Sequence, residues 1–239
     1  MIKRVGYIVM VLIFSTINVK AADTTSYSAD ELYQKMKAKL ALVSDYSADV
    51  KMKINISYMR VPTLSGKLYY KAPNKMKLDR RGGIAIMPKK GVSFNINSVV
   101  PEDDATVIDA GFDVIDGRKL HIIKIIPNSD EGDVILTKIW VDESRLLALK
   151  SETTTRENGT VKMELEFEAY EKLALPDKVT FYLDEQEYKL PKGMTMDYEV
   201  PDMASSIKNA KDGKRKKGKI EITYLRYEVN KGLEDSLFE

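Results

Sequence analysis

Apolar and polar residues alternate one by one along much of the chain after residue 49, and this two-residue period restricts the possible folds more than any other feature. Val50, Met52, Ile54, Ile56 and Tyr58 alternate with lysine, asparagine and serine. Successive side chains of a strand point to opposite faces of a sheet. The segment therefore predicts a strand with one buried face and one solvated face.

The same period returns in several later segments, and turn signals separate many of them. One-sided alternation is typical of antiparallel strands, because strands buried on both faces read as continuous apolar runs. The repeats are Leu64, Gly66, Leu68 and Tyr70; Met76 and Leu78; Ile84 and Ile86; Val161, Met163, Leu165 and Phe167; Val179, Phe181 and Leu183; and Ile220, Ile222 and Tyr224. The turn signals are Pro73-Asn74, Arg81-Gly82-Gly83, Asp116-Gly117, Asp130-Glu131-Gly132 and Glu157-Asn158-Gly159. Together they predict an antiparallel meander.

Two helices are expected beside these strands. Ser28 and Glu31 form a capping box, and apolar residues at helical spacing follow, so we expect an amphipathic helix over 29–44. A second, shorter helix is expected over 203–210, with Asp202 as its N-cap. So little helix cannot cover a large sheet completely. Part of the apolar sheet face should therefore form a cavity, within a mainly β (α+β) fold.

The N-terminus has the pattern of an export signal. Lys3 and Arg4 precede an apolar run over 5–17, which is shorter than the ~20 residues that span a bilayer. We expect cleavage near Ala21, so that 1–21 is a signal peptide and 22–239 is a single exported domain. A retained N-terminal anchor is the alternative. The sequence contains no cysteine, so neither disulfides nor a lipid on an N-terminal cysteine are expected.

The formal net charge is +2, with acidic and basic residues interspersed, which argues against a nucleic-acid partner. One basic run, Lys211 to Lys219, contains two glycines and is predicted to be an exposed loop. It is interpreted as a solvated turn, and the alternative is a docking patch for an acidic partner or anionic headgroups.

Residues suited to catalysis are scarce. The single histidine, His121, alternates with Ile123 and Ile125, so we expect a packed structural side chain rather than a catalytic base. Glu164, Glu166 and Glu168 follow strand spacing on the solvated face, which does not favour a metal site. The acidic stretch Glu102-Asp103-Asp104 is interpreted as a loop, with weak calcium binding as the alternative. We therefore expect no enzyme activity, metal or cofactor, and a hydrolase is the remaining alternative.

Trp140 is the only tryptophan, and its position in the alternation pairs it with Lys138. The more apolar face of that strand consists of Ile135, Thr137, Ile139 and Val141. We therefore expect Trp140 on the opposite face of the sheet or at a rim.

The order of several motifs is similar to one family. They are Asp45-Tyr46-Ser47-Ala48-Asp49 after the helix; the run from Gly66 to Met76; Asp116-Gly117-Arg118-Lys119-Leu120 continuing to Ile123, Ile125 and Pro127; Ile139-Trp140-Val141-Asp142 before Leu146; and Tyr227-Glu228-Val229-Asn230 with Leu233, Asp235, Ser236, Leu237 and Phe238. In this order the chain resembles the periplasmic outer-membrane lipoprotein carrier (LolA-like) family over nearly all of 22–239. Each motif alone is a strand-and-turn pattern, so their order carries the resemblance.

The resemblance implies a strongly curved antiparallel sheet that forms an unclosed barrel, with helices as a lid over a hydrophobic cavity. It also implies a monomeric periplasmic carrier of acylated lipoproteins or another lipid, served by an inner-membrane releasing complex and an outer-membrane acceptor. The alternative is a non-transporting envelope sensor or interaction module on the same fold. Where well-studied carriers have an arginine that holds the lid shut, this chain has Ala72, preceded by Lys71. The latch role does not transfer to Lys71, because adjacent strand residues point to opposite faces.

The apolar residues of the alternating segments are the candidate cavity lining, although each could equally be ordinary core. Methionine suits a pocket that must repack around acyl tails, because its side chain is flexible and polarizable. The candidates are Val50, Met52, Ile54, Tyr58, Leu68, Tyr70, Met76, Leu78, Ile123, Ile125, Ile139, Val141, Met163, Leu165, Phe167, Val179 and Phe181.

Overall fold

The computed structural model describes residues 26–56, 59–60, 62–80, 104–129, 132–156, 159–184 and 217–238. Some predictions fall outside these residues: the signal peptide, the helix over 203–210, the strand residues Ile84 and Ile86, and the candidate Tyr58.

The predicted N-terminal helix is present as α1, Ala29–Leu40. Ser28 caps it, since its hydroxyl accepts a hydrogen bond from the backbone N–H of Glu31 at 3.2 Å. The helix ends four residues before the predicted end. Beyond it the backbone turns towards the first strand, and the Ser44 N–H donates to Asn230 Oδ1 at 2.8 Å. Val43 is buried, but it belongs to this turn and not to the helix. Its apolar side chain at helical spacing therefore led to a predicted helix that is too long.

In the described part of the chain, eleven strands form one antiparallel sheet. They are β1 Asp45–Ile56, β2 Met59–Arg60, β3 Leu64–Lys71, β4 Lys75–Arg80, β5 Ala105–Ile115, β6 Arg118–Pro127, β7 Val134–Asp142, β8 Leu147–Thr155, β9 Gly159–Glu166, β10 Lys178–Asp184 and β11 Lys217–Val229. Short 3-10 turns occur at Glu171–Leu173 and Asp235–Phe238. The mainly β fold predicted from the alternation is confirmed.

The sheet is not closed. Its order is β4-β3-β1-β11-β10-β9-β8-β7-β6-β5, with β2 paired to β1, so β4 and β5 are the two end strands. From β5 to β11 each strand lies beside the next one along the chain, and β3 lies beside β4, whereas β4 and β5 are at opposite ends of the sheet. The first and last of these strands, β1 and β11, pair with each other in the middle of the sheet.

Local irregularities adjust the strands. The predicted Asp116-Gly117 turn joins β5 to β6 with positive φ at both residues, as a tight hairpin requires. A bulge in β5 between Asp109 and Phe112 includes Gly111 at φ +79°. A glycine adopts this conformation without the strain that a side chain would add.

Two sequence predictions are wrong. Ile135 was placed on the apolar face of its strand, but it is 46% exposed, because the register with β8 shifts between Val134 and Leu136. The basic run was predicted to be a loop up to Lys219, but Lys217 already begins β11 and Lys219 pairs across the sheet with Tyr182. The part of this run over 211–216 lies outside the described residues.

The core lies on one face of the sheet, which we call the inner face, with α1 packed against it. A smaller cluster of Leu120, Ile122 and Trp140 lies on the other, outer face. Trp140 is thus on the predicted face, where this small cluster buries it.

Candidate ligand site on the inner face

The predicted cavity residues share one apolar cluster, apart from Tyr58, which is not described. Met76, Leu78 and Phe167 are partly buried and pack against this cluster. The others are buried: Val50, Met52, Ile54, Leu68, Tyr70, Ile123, Ile125, Ile139, Val141, Met163, Leu165, Val179 and Phe181. The two-residue period was therefore sufficient to assign these side chains to one face.

Strand register joins these residues into continuous rows. In one row, Leu165 is paired with Val179, which is paired with Ile222. Ile222 is paired in turn with Met52 of β1. A parallel row runs from Met163 through Phe181 and Ile220 to Ile54. Long, flexible and aromatic side chains thus form a continuous apolar surface across four neighbouring strands.

Helix α1 covers part of this surface. Leu32, Tyr33 and Met36 are almost completely buried, and they belong to the same cluster as the strand residues. Their spacing places them on one side of the helix. Within the described part of the chain α1 is the only α-helix, so any further cover of the inner face has to come from other elements.

Polar contacts hold α1 to the turn between β7 and β8, which we call the rim turn (residues 143–146). Just before the N-terminus of α1, Ser26 Oγ lies 3.5 Å from Glu143 Oε1. In the last turn of the helix, Lys39 Nζ donates to the carbonyl oxygen of Arg145 at 2.6 Å. Both ends of α1 are therefore attached to one short turn. Sequence reasoning could not find this arrangement, because residues 39 and 145 are distant along the chain.

Arg145 and Asp142 stabilise the rim turn itself. Arg145 Nε donates to Asp142 Oδ2 at 2.7 Å, and Arg145 Nη1 lies 3.4 Å from Glu171 Oε2. Burial raises the pKa of Asp142, but hydrogen bonds from Ser144 and Arg145 outweigh it and hold the pKa below its usual value. Burial lowers the pKa of Lys39, and the nearby Glu171 carboxylate offsets this effect only in part.

His121 is buried between two carboxylates. Its Nδ1 lies 2.6 Å from Glu143 Oε1, and its Nε2 lies 3.3 Å from Asp109 Oδ1. Nε2 and Asp109 Oδ1 are within ion-pair distance, but their geometry is not that of a hydrogen bond. Phe112 stacks on the imidazole at 4.5 Å between centroids. The backbone N–H of Gly111 and then the imidazole lower the pKa of Asp109. The packed position matches the expectation, whereas the carboxylate neighbours were not predicted.

A cluster of tyrosines occupies one part of the inner face. Tyr46 lies 5.2 Å from Tyr70 and 5.3 Å from Tyr227, between ring centroids. Tyr227 also contacts Tyr170 and Tyr224. Burial raises the pKa of Tyr46, Tyr224 and Tyr227, which keeps these phenols neutral. Sequence reasoning missed this cluster as a unit, because its members come from separate segments.

Among the described residues, Lys71 contacts the C-terminal segment of the chain. Its Nζ donates to the carbonyl oxygen of Leu233 and lies 2.7 Å from Asp235 Oδ1. Lys75 contacts the same carboxylate at 3.1 Å. These two lysines lower the pKa of Asp235. The lysines therefore attach the C-terminal segment to the β3–β4 hairpin, which agrees with not assigning a lid latch to Lys71.

The outer-face carboxylates of β9 are exposed, as expected. Glu164 accepts a hydrogen bond from the Tyr182 hydroxyl at 2.6 Å, and Glu166 pairs with Lys178 at 2.9 Å. The first contact raises the pKa of Tyr182 to about 12. Among the described residues, no group of three or more His, Cys, Asp or Glu side chains is placed to bind a metal ion. Over the same residues, no helix is long and apolar enough to cross a membrane.

Comparisons with known proteins identify the fold. No protein-family model matches the sequence, and no curated protein is significantly similar to it. Among solved structures, an outer membrane lipoprotein-sorting protein domain from Vibrio parahaemolyticus is 12% identical, with a TM-score of 0.57 over 88% of this chain and 97% of that one. A LolA superfamily protein from Nitrosomonas europaea is 10% identical, with a TM-score of 0.55 over 90% and 98% of the two chains. A DUF1329 family protein from Desulfovibrio piger is 14% identical, with a TM-score of 0.52 over 90% and 98%.

The unclosed sheet and its apolar inner face define the class of protein, a half-barrel whose larger apolar cluster lies on the face that α1 packs against. More specifically, the chain has the LolA-like fold, as the order of its sequence motifs predicted. Because the sequence identities are low, the comparisons establish the fold alone. The function has to be inferred from the residues of this chain.

Proposed function

We propose that the protein is a periplasmic carrier that binds acyl chains of lipoproteins, or of another lipid, between the inner face of its sheet and α1. The observation that supports this function is the apolar surface that crosses four strands and ends at a helix held by few polar contacts. Burying an acyl chain there contributes about 0.8 kcal/mol per methylene, so tight binding needs neither a covalent bond nor a nucleotide. The proteins of similar fold include one named for lipoprotein sorting, which supports the same ligand class.

The proposal includes location and partners. The predicted signal peptide supports export to the periplasm. A carrier that holds acyl chains by packing alone needs a membrane complex to load it and an acceptor to unload it, because apolar tails do not leave a bilayer unaided. We include an inner-membrane releasing complex and an outer-membrane acceptor in the proposal, with a monomeric, non-enzymatic carrier between them.

A second function is favoured by one observation. The candidate lining residues are mostly buried within the protein itself, as in a well-packed core. A non-transporting envelope sensor or interaction module with a filled interior would have the same pattern. The two functions differ in whether the interior separates to accept a ligand.

A binding experiment with inner-face variants tests the carrier. Leu165→Glu and Phe181→Glu each place a carboxylate in the apolar cluster, where an unpaired charge is strongly unfavourable. Each should abolish binding of a fluorescent fatty acid or an acylated peptide. Because a buried charge can also unfold the protein, Leu78→Gln at the partly buried margin of the cluster gives a milder change.

Glu166→Gln is the matched control, since it changes the adjacent side chain on the exposed outer face. Circular dichroism and thermal melts establish which variants remain folded. A folded margin variant with reduced binding supports the carrier. Wild-type protein that binds no acyl probe, after removal of co-purified lipid, would contradict it and favour the sensor.

A further inference from the structure

The outer face of β5, β6 and β7 combines exposed isoleucines with lysines. Ile108 on β5 is 42% exposed and Ile126 on β6 is 38% exposed. In the register of the sheet Ile108 is opposite Lys124, and Lys124 is opposite Lys138 of β7. Two apolar side chains therefore lie beside a pair of adjacent lysines on the face that points away from the inner cluster.

The two lysines are not neutralised. Like charges directly opposite each other on antiparallel strands destabilise a sheet. Within the described residues neither Lys124 nor Lys138 forms an ion pair. Glu152 lies opposite Lys138, but its carboxylate is 3.1 Å from Lys162 and 3.9 Å from Lys150. This region of the outer face therefore carries unneutralised positive charge.

Other strands show the usual pattern for the outer face. On β10 and β11, Lys178 pairs with Glu166 and Lys219 pairs with Glu221. Acidic and basic side chains alternate across the strands there, as expected of a face that contacts water alone. The lysines next to Ile108 and Ile126 depart from that pattern.

Trp140 holds two ammonium groups at the same place. Lys138 Nζ and Lys150 Nζ each lie 4.3 Å from the centroid of its indole ring. The ring is fixed, because it is buried and its Nε1 donates to Asp113 Oδ2 at 3.1 Å. Cation–π contacts favour this arrangement, so the positive charge belongs to the folded surface rather than to freely moving side chains.

We infer that this outer basic patch (Ile108, Lys124, Ile126 and Lys138), which Lys150 borders, docks the protein on an anionic lipid bilayer. Lysines near an anionic membrane contribute about 1 kcal/mol each, and exposed isoleucines can enter the interface while the ammonium groups stay among the phosphates. An acidic protein surface would neutralise the lysines but would also need pockets shaped for the isoleucines, whereas a fluid bilayer accepts both. The patch lies on the face opposite the acyl site, so docking does not depend on acyl binding.

Vesicle co-sedimentation at low ionic strength tests this inference. Wild-type protein should bind phosphatidylcholine vesicles that contain phosphatidylglycerol, bind neutral phosphatidylcholine vesicles much more weakly, and dissociate as salt is added. The double variant Lys124→Gln/Lys138→Gln should lower the partition coefficient about 30-fold, at about 1 kcal/mol per lysine. Ile108→Ser/Ile126→Ser should also weaken binding, while the salt dependence remains.

The matched control is Lys51→Gln/Lys53→Gln, which removes the same charge from exposed positions on the outer face of β1. It should retain nearly full binding, and Leu165→Glu should bind vesicles normally if it is folded. Equal losses in the two lysine variants, or equal binding to both vesicle types, would overturn the inference. Binding to native membranes that disappears after protease treatment, with none to pure vesicles, would indicate a membrane protein instead.

Discussion

His121 is a buried polar side chain whose two ring nitrogens each face a carboxylate from a different element. Here Nδ1 faces Glu143 and Nε2 faces Asp109. The imidazole therefore connects the β5 bulge to the rim turn, and the same Glu143 carboxylate reaches Ser26 beside α1.

Replacing His121 with glutamine should lower stability but leave acyl binding intact. The change removes a buried contact to a charged group, which contributes roughly 1.5–3 kcal/mol. Urea denaturation should show this loss, while the affinity for a fluorescent fatty acid stays within about threefold of wild type. A folded variant with normal stability and no function would instead indicate that His121 takes part in chemistry.

The Asp142 carboxylate should make the rim turn sensitive to acid. Its pKa is lower in the folded protein than the value of about 3.9 expected when unfolded. Such a group stabilises the fold above the unfolded pKa, and this contribution is lost as pH falls through the folded pKa. Asp142→Asn should therefore reduce the free energy of unfolding at pH 7, and the difference from wild type should shrink below about pH 4.

Denaturant titrations at pH 7 and at pH 3 measure this effect, with Asp79→Asn on β4 as the control. Asp79 is exposed and forms no ion pair within the described residues. Its substitution should change stability little at either pH. A difference for Asp142→Asn that is the same at pH 7 and pH 3 would contradict the assigned role of the carboxylate.

At the scale of elements, helix α1 depends on its cap and on the rim turn. Ser28→Ala removes the hydrogen bond to the Glu31 N–H and should cost about 1 kcal/mol. Because few polar contacts attach the ends of α1 to the rest of the molecule, part of this loss should appear as local opening rather than global unfolding. Hydrogen exchange should therefore accelerate in 29–40 more than in β1 or β11. Ser65→Ala, at an exposed position of β3, is the control.

Strands with one-sided alternation were predictable, and those without it were not. β1, β3, β4, β9, β10 and β11 each overlap an alternating segment of the sequence. β5 was not predicted, because it is an end strand whose bulge at Gly111 interrupts the parity of its side chains. In the candidate site the membership of the apolar cluster was predictable residue by residue, whereas its role as a ligand cavity stays a prediction. The attachment of Lys39 to Arg145 was not, because it depends on the tertiary fold.

At the scale of the whole molecule, the N-terminal segment should be removed during export. The basic start and the short apolar run over 5–17 predict cleavage near Ala21. Protein released from the periplasm should therefore begin close to residue 22, as measured by intact mass. Recovery of the uncleaved chain in the membrane fraction would support the retained anchor instead. A short apolar run at the membrane would then add to any docking by the outer basic patch.

The carrier and the sensor differ most clearly in how a ligand changes the stability of the molecule. A ligand that binds only the folded protein stabilises it by RT ln(1 + [L]/Kd), which is about 2.7 kcal/mol at one hundred times Kd. For a chain of this size that corresponds to a rise in Tm of roughly 5–10 °C. The delipidated protein should show this rise with increasing fatty acid, and Leu78→Gln should need more fatty acid for the same rise. A sensor with a filled interior should melt at one temperature throughout, because a core that does not separate offers the acyl chain no surface to bury.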